Sequence, residues 1–264
     1  MRTGFIGCGN MAGAMIRGMI ESGKVQPEDV IISARTEATR ERARREFGVK
    51  TADSNCEVVR ASDIIFLAAK PQQYEEIIQE IRDDVKENQI VVSIAPGKTL
   101  AWFEEKFGKP VKIVRTSPNT PALVKEGMTA VCAGSAVTEG ELKDVMELCE
   151  SFGRTEIIPE KLMNAVVGVA GSSPAYVFLF IEALADAAVA EGMTRKQAYK
   201  FAAQAVMGSA KMVLETGLHP GELKDMVCSP GGTTIEAVQV LEENQMRAAV
   251  MKASRACTKK AGDM

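Results

Sequence analysis

The sequence predicts an α/β protein in which a doubly wound parallel sheet is followed by an all-helical domain. Up to Pro159, short apolar runs alternate with amphipathic helical stretches, which is the pattern of parallel strands joined by crossover helices. The apolar runs lack polar alternation, as expected for strands that are covered on both faces. Beyond Pro159 only helical periodicity remains. We therefore expect one domain over residues 1–159 and a second over residues 160–264.

Strands and helices are predicted to alternate along the first domain, so right-handed crossovers should join parallel strands. The predicted strands are Thr3–Cys8, Val30–Ala34, Val49–Thr51, Ile64–Ala68, Ile90–Ile94, Lys112–Arg115, Thr129–Ala133 and Glu156–Ile158. The predicted helices are Met11–Ser22, Glu37–Phe47, Gln72–Val85, Leu100–Phe107 and Glu139–Phe152.

The second domain is predicted to contain helices separated by glycine, proline and asparagine. These helices are Glu160–Val169, Ala175–Glu191, Arg195–Glu215, Pro220–Met226, Thr233–Glu243 and Gln245–Lys260. The helix Ala175–Glu191 is apolar on almost every side, so it must be buried on most sides. A domain of only about a hundred residues can hardly bury such a helix alone. We therefore expect a homodimer interface, the alternative being a core helix within one chain.

Composition excludes several classes of function. The formal net charge of −3 argues against bulk binding to nucleic acid or to an anionic membrane. The six cysteines form no Cys-x-x-Cys pair and His219 is the only histidine, so we expect no metal site and a reducing, cytoplasmic location. No uninterrupted apolar stretch reaches about 18 residues, so we expect no membrane span. Because the first predicted strand begins by Thr3, we expect no leader peptide.

The first strand leads directly into a Gly-x-Gly-x-x-Ala turn and a helix. Gly7 permits the tight turn, Gly9 lets the backbone approach a pyrophosphate, and Ala12 lets the helix pack close to the strand. The N–H groups at the helix start would face the phosphates. This pattern predicts a Rossmann-like dinucleotide site. The predicted cofactor-binding residues here are Ile6, Gly7, Cys8, Gly9, Asn10, Met11 and Ala12.

The end of the second strand indicates which cofactor binds. NAD-specific folds place an acid there, whereas this chain has Ser33 and Arg35. A hydroxyl and a guanidinium suit a 2′-phosphate, so we favour NADPH and keep NADH as a second cofactor. The alternative makes Arg35 part of a solvated helix face. We prefer that interpretation for the four arginines that follow, Arg40, Arg42, Arg44 and Arg45.

Other strand ends line the same predicted crevice. The segments expected to hold the nicotinamide half are Ala68, Ala69, Lys70 and Pro71, together with Ala95, Pro96 and Gly97. For Lys70-Pro71 an ordinary strand-to-helix turn is equally consistent. Asn119, between two prolines, is a rigid polar tip that would contact the nicotinamide or substrate, or would form an Asx turn.

The helical domain contains Ser229-Pro230-Gly231-Gly232-Thr233-Thr234 immediately before a helix. Consecutive glycines and hydroxyls at a helix start form an anion site, and the carboxylate of a small substrate would fit there. The alternative is a capping box of Thr233 and Glu236. Capping explains one threonine but not the glycine pair and the second threonine.

The chain has no Ser-His or Cys-His constellation for nucleophilic catalysis. His219 precedes a predicted helix, where a histidine is more often structural than catalytic. A reductase without an evident general acid is consistent with a cationic imine substrate. An iminium carbon accepts hydride directly, whereas a ketone needs a proton donor.

Taken together, these residues resemble the pyrroline-5-carboxylate reductase family over essentially the whole chain. The matching segments are His219-Pro220, Leu223-Lys224-Asp225, Ser229 to Ile235, Pro174 to Phe178, Glu182 to Asp186, Asn119-Thr120-Pro121 and Glu126-Gly127-Met128. One departure is Ser173 in Ala170-Gly171-Ser172-Ser173-Pro174, where the family usually has glycine.

The resemblance implies reduction of 1-pyrroline-5-carboxylate to L-proline by NADPH or NADH. It places the pyrophosphate on Gly7 to Ala12, the 2′-phosphate on Ser33 and Arg35, and the adenosine ribose on Asn55. It assigns the substrate to the loop Ser229, Gly231, Gly232, Thr233 and Thr234 and to Glu160, with Thr234 bonding the ring nitrogen as the catalytic contact. It also implies dimers through the helical domain, with decamers as a larger assembly.

Two other functions compete with this interpretation. A β-hydroxyacid dehydrogenase would carry a catalytic lysine on the helix Ala175–Glu191, which has none. A dinucleotide sensor without catalysis would not need the loop Ser229 to Thr234.

Overall fold

The computed structural model describes residues 1–263 of the chain. It divides into two compact units, one of Met1–Ser172 together with the chain from Ala256 onward, and one of Ser173–Arg255. We call them the sheet unit and the helical unit. The domain boundary after Pro159 was inferred from composition and stays a prediction.

An eight-stranded sheet forms the centre of the sheet unit, in the order β3-β2-β1-β4-β5-β6-β7-β8. Its strands are β1 Thr3–Ile6, β2 Val30–Ser33, β3 Lys50–Ala52, β4 Ile64–Leu67, β5 Ile90–Ser93, β6 Lys112–Ser117, β7 Gly127–Ala133 and β8 Gly153–Ile157. The helices of this part are α1 Asn10–Glu21, α2 Glu37–Phe47, α3 Asn55–Ala61, α4 Tyr74–Ile81, α5 Leu100–Phe107, α6 Glu139–Glu150 and α7 Met163–Val166. The order of the first six strands is that of a dinucleotide-binding sheet.

One strand pair departs from the expected parallel arrangement. β7 runs antiparallel to β6, and β8 then pairs parallel with β7. The connection from β6 to β7 holds only a 3₁₀ turn at Thr120–Val124, which is too short for the crossover of a dozen or so residues that a parallel pair needs. The expectation of a wholly parallel sheet is therefore wrong at this pair.

Both faces of the sheet are covered, as the unbroken apolar strands indicate. Phe5 and Phe66 stack with ring centroids 4.8 Å apart on the face packed by α1, α2 and α6. Their neighbours Ile6 and Leu67 point to the other face, against α3, α4 and α5. This alternation buries two apolar layers around the strands that carry the glycine turn.

The helix α3 was not predicted. Ser54 caps it by accepting a hydrogen bond from the Glu57 N–H, with Oγ and N 3.3 Å apart. The Ser-x-x-Glu pattern of Ser54 and Glu57 is a capping-box signal that was present in the sequence. The helix is short and half polar, so its apolar periodicity is weak.

The helices of the second part are α8 Ser173–Ala190, α9 Arg195–Thr216, α10 Pro220–Val227, α11 Thr233–Glu243 and α12 Met246–Gly262, which crosses the division between the units. α8 packs against α9, yet Phe178 and Leu179 are 61% and 66% exposed. Ala185 is the only residue of α8 that is fully buried. The alternative that α8 is a core helix within one chain is therefore wrong.

The helical run Glu160–Ala190 is long and apolar enough to cross a membrane by length and composition, with 6% of its window buried. A run interrupted by charged residues escapes a count of uninterrupted apolar residues, and the absence of a membrane span stays a prediction. Helices whose apolar surface is covered by protein pass the same test, so this is weak evidence for a membrane span.

The segment before α8 forms a π-helix, Val167–Gly171, which extends two residues beyond the predicted helix Glu160–Val169. The Ser172 N–H donates to the Val167 carbonyl over 2.8 Å. The Asn119 Nδ2 donates to the Ala170 carbonyl over 3.0 Å. A helical residue 174 would normally bond that carbonyl, but Pro174 has no N–H, so Asn119 supplies the missing donor.

Asn119 also accepts a hydrogen bond at Oδ1 from the Met128 N–H, over 2.8 Å. Its side chain therefore braces the π-helix against the start of β7. The Asx-turn interpretation of Asn119 is wrong, because its Oδ1 accepts from Met128 rather than from the turn that follows it. A ligand contact of Asn119 stays a prediction. π-helical turns occur frequently at functional sites.

Candidate active site

The glycine turn has the geometry of a phosphate cradle. Gly7 has a φ of +98°, and a Cβ there would lie 2.8 Å from the Ala68 backbone. Its N–H donates to the Ser33 carbonyl over 3.0 Å. A Cβ on Gly9 would meet no atom within 4 Å. Open space thus lies in front of α1, whose N-cap Gly9 provides no side-chain cap, so the helix N–H groups fit a pyrophosphate.

A cavity of about 410 Å³ extends from this turn along the ends of β1, β2 and β4. Ten of the predicted cofactor residues line it: Ile6, Gly7, Cys8, Gly9, Ser33, Arg35, Asn55, Ala68, Ala69 and Lys70. The remaining predicted residues, Asn10, Met11, Ala12, Pro71, Ala95, Pro96 and Gly97, are not part of its lining. Ala12 is on the buried side of α1, as its packing role requires. The cofactor contacts of all these residues stay predictions.

Sequence reasoning missed one wall of this cavity. Gln73, Glu76, Ile77 and Glu80 line it from the start and one face of α4. Their spacing of three and four residues places them on one side of a helix. That spacing was a usable signal once the Ala68 to Pro71 segment had been assigned to the cofactor. Thr36 and Thr39 also line the cavity.

A chain of hydrogen bonds joins three residues of the cavity. Ser33 is buried, and its Oγ lies 2.6 Å from Asn55 Oδ1. Asn55 Nδ2 donates to Glu80 Oε2 over 2.6 Å, and the Asn55 N–H donates to Glu80 Oε1 over 3.2 Å. Asn55, predicted at the ribose, is therefore held in one orientation.

Some arginines of α2 form hydrogen bonds to backbone carbonyls instead of facing only solvent. Arg42 Nη2 donates to the Cys8 carbonyl over 2.7 Å, and Arg40 Nη1 donates to the Ala34 carbonyl over 2.6 Å. Arg44 bonds Glu37 and Thr51. The solvated-face interpretation is wrong for Arg40 and Arg42, whose partners Ala34 and Cys8 line the cavity, whereas Arg44 is exposed as that interpretation expects. Arg35 is exposed at the cavity rim, where a phosphate can reach it.

Burial raises the pKa of the Cys8 thiol although Arg42 lies beside it. The group next to the phosphate cradle is therefore kept neutral. The neutral thiol does not repel a pyrophosphate, as a thiolate would.

Glu160 makes two contacts within the sheet unit. Its Oε1 accepts a hydrogen bond from the buried Arg115 and another from the Leu100 N–H, the latter over 2.6 Å. The carboxylate therefore joins β6 to the start of α5. Its predicted contact with substrate stays a prediction.

The loop before α11 belongs to the helical unit. The Gly232 N–H donates to the Ser229 carbonyl over 3.0 Å, and Gly231 has a φ of +64°. Pro230 and Gly231 thus occupy the two central positions of a tight turn that suits them. A Cβ on Gly232 would lie 2.3 Å from Ser229 Oγ, so a larger residue there would force the serine hydroxyl to move.

The capping-box interpretation of Thr233 is wrong. Gly232 is the N-cap of α11 and Thr233 is its first residue, with no side-chain cap. A threonine at the first helical position cannot cap the turn that begins with it. Neither threonine hydroxyl is used to cap α11, and the substrate contacts of Thr233 and Thr234 stay predictions. By contrast, His219 caps α10, accepting at Nδ1 from the Gly221 N–H over 3.0 Å.

Among residues 1–263, no group of three His, Cys, Asp or Glu side chains is placed to hold a metal ion. The strand order, the phosphate cradle and the lack of an acid at the end of β2 are typical of proteins that bind a nicotinamide dinucleotide. The family described as "NADP oxidoreductase coenzyme F420-dependent" matches residues 2–97. The family described as "Pyrroline-5-carboxylate reductase dimerisation" matches residues 160–264.

Similar proteins narrow this class to one family. Pyrroline-5-carboxylate reductase of Escherichia coli is 53% identical over 259 residues, covering 98% of this chain and 96% of that protein. The structure of a pyrroline-5-carboxylate reductase from Coxiella burnetii is 33% identical, with a TM-score of 0.92 over 99% of this chain and 97% of that one. A Plasmodium falciparum pyrroline carboxylate reductase with NADP bound is 31% identical, with a TM-score of 0.91 over 100% and 97% of the two chains.

The chain belongs to the pyrroline-5-carboxylate reductase family, and the resemblance seen in its motifs is confirmed. It is an enzyme that uses NAD(P)H. The β-hydroxyacid dehydrogenase and sensor alternatives are therefore wrong.

Proposed function

We propose that this protein reduces 1-pyrroline-5-carboxylate to L-proline, the last step of proline biosynthesis, with NADPH as the preferred hydride donor and NADH as a second donor. The observation that carries the proposal is the uncapped Gly-Gly-Thr-Thr start of α11 in a chain that also holds a dinucleotide cavity. Family membership supports the same reaction.

The residues present fit the dinucleotide. Gly7 and Gly9 leave room for the pyrophosphate, and Ser33, Arg35 and Asn55 line the ribose end of the cavity. We assign the nicotinamide half to the strand-end segments Ala68–Pro71 and Ala95–Gly97. When bound, the reduced nicotinamide supplies the hydride.

The loop residues would bind and orient the imine. The N–H groups and the Thr233 hydroxyl at the start of α11 suit the substrate carboxylate. The Thr234 hydroxyl, which is half-buried, would bond the ring nitrogen and fix the face of the ring. Because the ring nitrogen of the protonated imine already carries the positive charge, hydride addition at carbon needs no acid from the protein.

We further propose a homodimer formed through the helical unit, with decamers as a larger assembly. The exposed apolar surface of α8 and the match to a dimerisation family support it. In this arrangement a second copy covers α8, so the run Glu160–Ala190 needs no membrane. The net charge of −3 fits a cytoplasmic protein without a nucleic-acid partner.

The test is NADPH oxidation, followed by absorbance, with pyrroline-5-carboxylate and in parallel with the keto form of a short 3-hydroxyacid. We expect rapid oxidation with the imine alone. Oxidation with the keto acid only, or none with the imine by protein that still binds NADPH, would overturn the proposal.

A further inference from the structure

We infer that Glu80 sets the balance between NADH and NADPH by controlling the direction in which the Ser33 hydroxyl donates its proton. The inference rests on the proposed function, because it concerns the ribose end of the same cavity. Glu80 was not among the residues that the sequence singled out.

Glu80 fixes the orientation of the Asn55 amide. Its carboxylate accepts from both the side-chain Nδ2 and the backbone N–H of Asn55. An ionised carboxylate only accepts, so the NH₂ of Asn55 must face it. The Asn55 carbonyl oxygen is thereby turned towards Ser33, 2.6 Å from its Oγ.

The Ser33 hydroxyl must then donate to Asn55, because a carbonyl oxygen can only accept. A serine hydroxyl has one proton and two lone pairs. Once that proton is committed, Ser33 offers only lone pairs to the cavity. It can accept from the ribose 2′-OH of NADH, but it cannot donate to the 2′-phosphate of NADPH.

The 2′-phosphate is therefore left to Arg35, with the hydroxyls of Thr36 and Thr39 on the same lining. The Glu80 charge shares that cavity and opposes a second anion. Ser33 and Glu80 thus favour NADH while Arg35 favours NADPH, so one site accepts both cofactors. This assignment differs from the one made from the sequence, in which Ser33 and Arg35 both bind the 2′-phosphate.

A purely structural role for Glu80 makes a different prediction. Glu80 also joins α4 to α3, since Asn55 is the first residue of α3 and the Cys56 thiol lies 3.4 Å from the Glu80 carbonyl. If Glu80 only held α3 against α4, replacing it would weaken the binding of both cofactors equally.

The first comparison is Glu80→Gln against Glu76→Gln. A glutamine at position 80 can donate to Asn55, so Asn55 can turn over and Ser33 can donate to the phosphate. We expect the ratio of kcat/KM for NADPH to kcat/KM for NADH to rise roughly tenfold. Glu76 lines the same cavity and carries the same charge but bonds neither Asn55 nor Ser33. Its variant should change the ratio by less than about threefold. An equal rise of this ratio in both variants would overturn the inference, because it would follow from loss of charge alone.

The second comparison uses Ser33→Ala, a small change that the fold should tolerate. In the otherwise unchanged protein it should weaken the binding of NADH more than the binding of NADPH. In the Glu80→Gln background it should weaken the binding of NADPH more. A larger loss of NADPH binding in the unchanged background would overturn the inference.

Fluorescence titration with each nucleotide, without imine, separates the proposed function from the inference about Glu80. If the protein binds neither nucleotide, the proposed function is contradicted. If it binds both, but Ser33→Ala does not weaken NADH binding more than NADPH binding, only the inference about Glu80 is contradicted.

Discussion

The two units of this chain treat their apolar side chains in opposite ways. In the sheet unit, Phe5, Phe66 and Phe103 are fully buried by the chain itself, whereas α8 of the helical unit exposes Phe178 and Leu179. Burial of apolar surface is the main driving force for folding and association. The cavity lined by most of the predicted cofactor residues lies within the sheet unit of one chain. The proposed substrate loop belongs to the unit for which we propose contact with a second copy.

Phe178→Asp tests this difference most strongly. A charge buried without a partner in the subunit interface should weaken self-association at least about a hundredfold. Because the cavity lies within the sheet unit, the dissociated protein should still bind NADPH. Sedimentation equilibrium and nucleotide titration measure both. Val124→Asp, at an exposed apolar residue of the sheet unit, is the matched control and should leave the mass unchanged. An unchanged mass for Phe178→Asp would contradict the interface.

Thr234→Ala should have the next largest effect, this time on turnover. Loss of the bond to the ring nitrogen should lower kcat by roughly ten- to a hundredfold, with little loss of stability because Thr234 does not cap α11.

The matched control for Thr234 is Thr194→Ala in the same unit. Thr194 caps α9, accepting from the Gln197 N–H. Its loss should cost about 1 kcal/mol of unfolding free energy without changing turnover per folded enzyme. Thr234→Ser should retain most activity. If Thr234→Ala lost only stability, the threonine would not contact the imine.

Arg35→Ala tests the predicted 2′-phosphate contact in the sheet unit. Loss of the guanidinium at the cavity rim should raise KM for NADPH roughly tenfold and leave KM for NADH within about twofold. Arg45→Ala, on the exposed part of α2, should change neither. Steady-state kinetics with both cofactors decides this. Equal increases for the two would remove Arg35 from the phosphate.

Asn119→Ala should have the smallest effect, and it falls on stability. The Ala170 carbonyl and the Met128 N–H would both lose their partner, at a cost of about 1–3 kcal/mol in unfolding free energy. Urea unfolding of the assembled protein measures it. Asn88→Ala at an exposed loop residue should stay within about 0.5 kcal/mol. Similar values for the two variants would mean that the π-helix needs no brace.

Features that depend on neighbours along the chain were predicted well. The glycine turn, the short apolar strands and the change of character after Pro159 follow from local spacing and composition. Ser33 and Arg35 line the cavity, as expected near the carboxyl end of a parallel strand, and their contact with a 2′-phosphate stays a prediction. The helix α3 could also have been found, from the Ser54 and Glu57 capping signal.

Features that depend on residues far apart in sequence were decided by the tertiary structure. The antiparallel course of β7, the Asn119 contact to Ala170 and the Arg42 contact to Cys8 join segments that no local pattern connects. The Ser33–Asn55–Glu80 chain is the clearest case. Each of these residues has an ordinary local interpretation, and only their meeting fixes which atom donates. Sequence by itself determined which chemical groups were available and which elements carry them. Folding decided how those groups pair, because hydrogen bonds are directional and are settled by distances of a few tenths of an ångström.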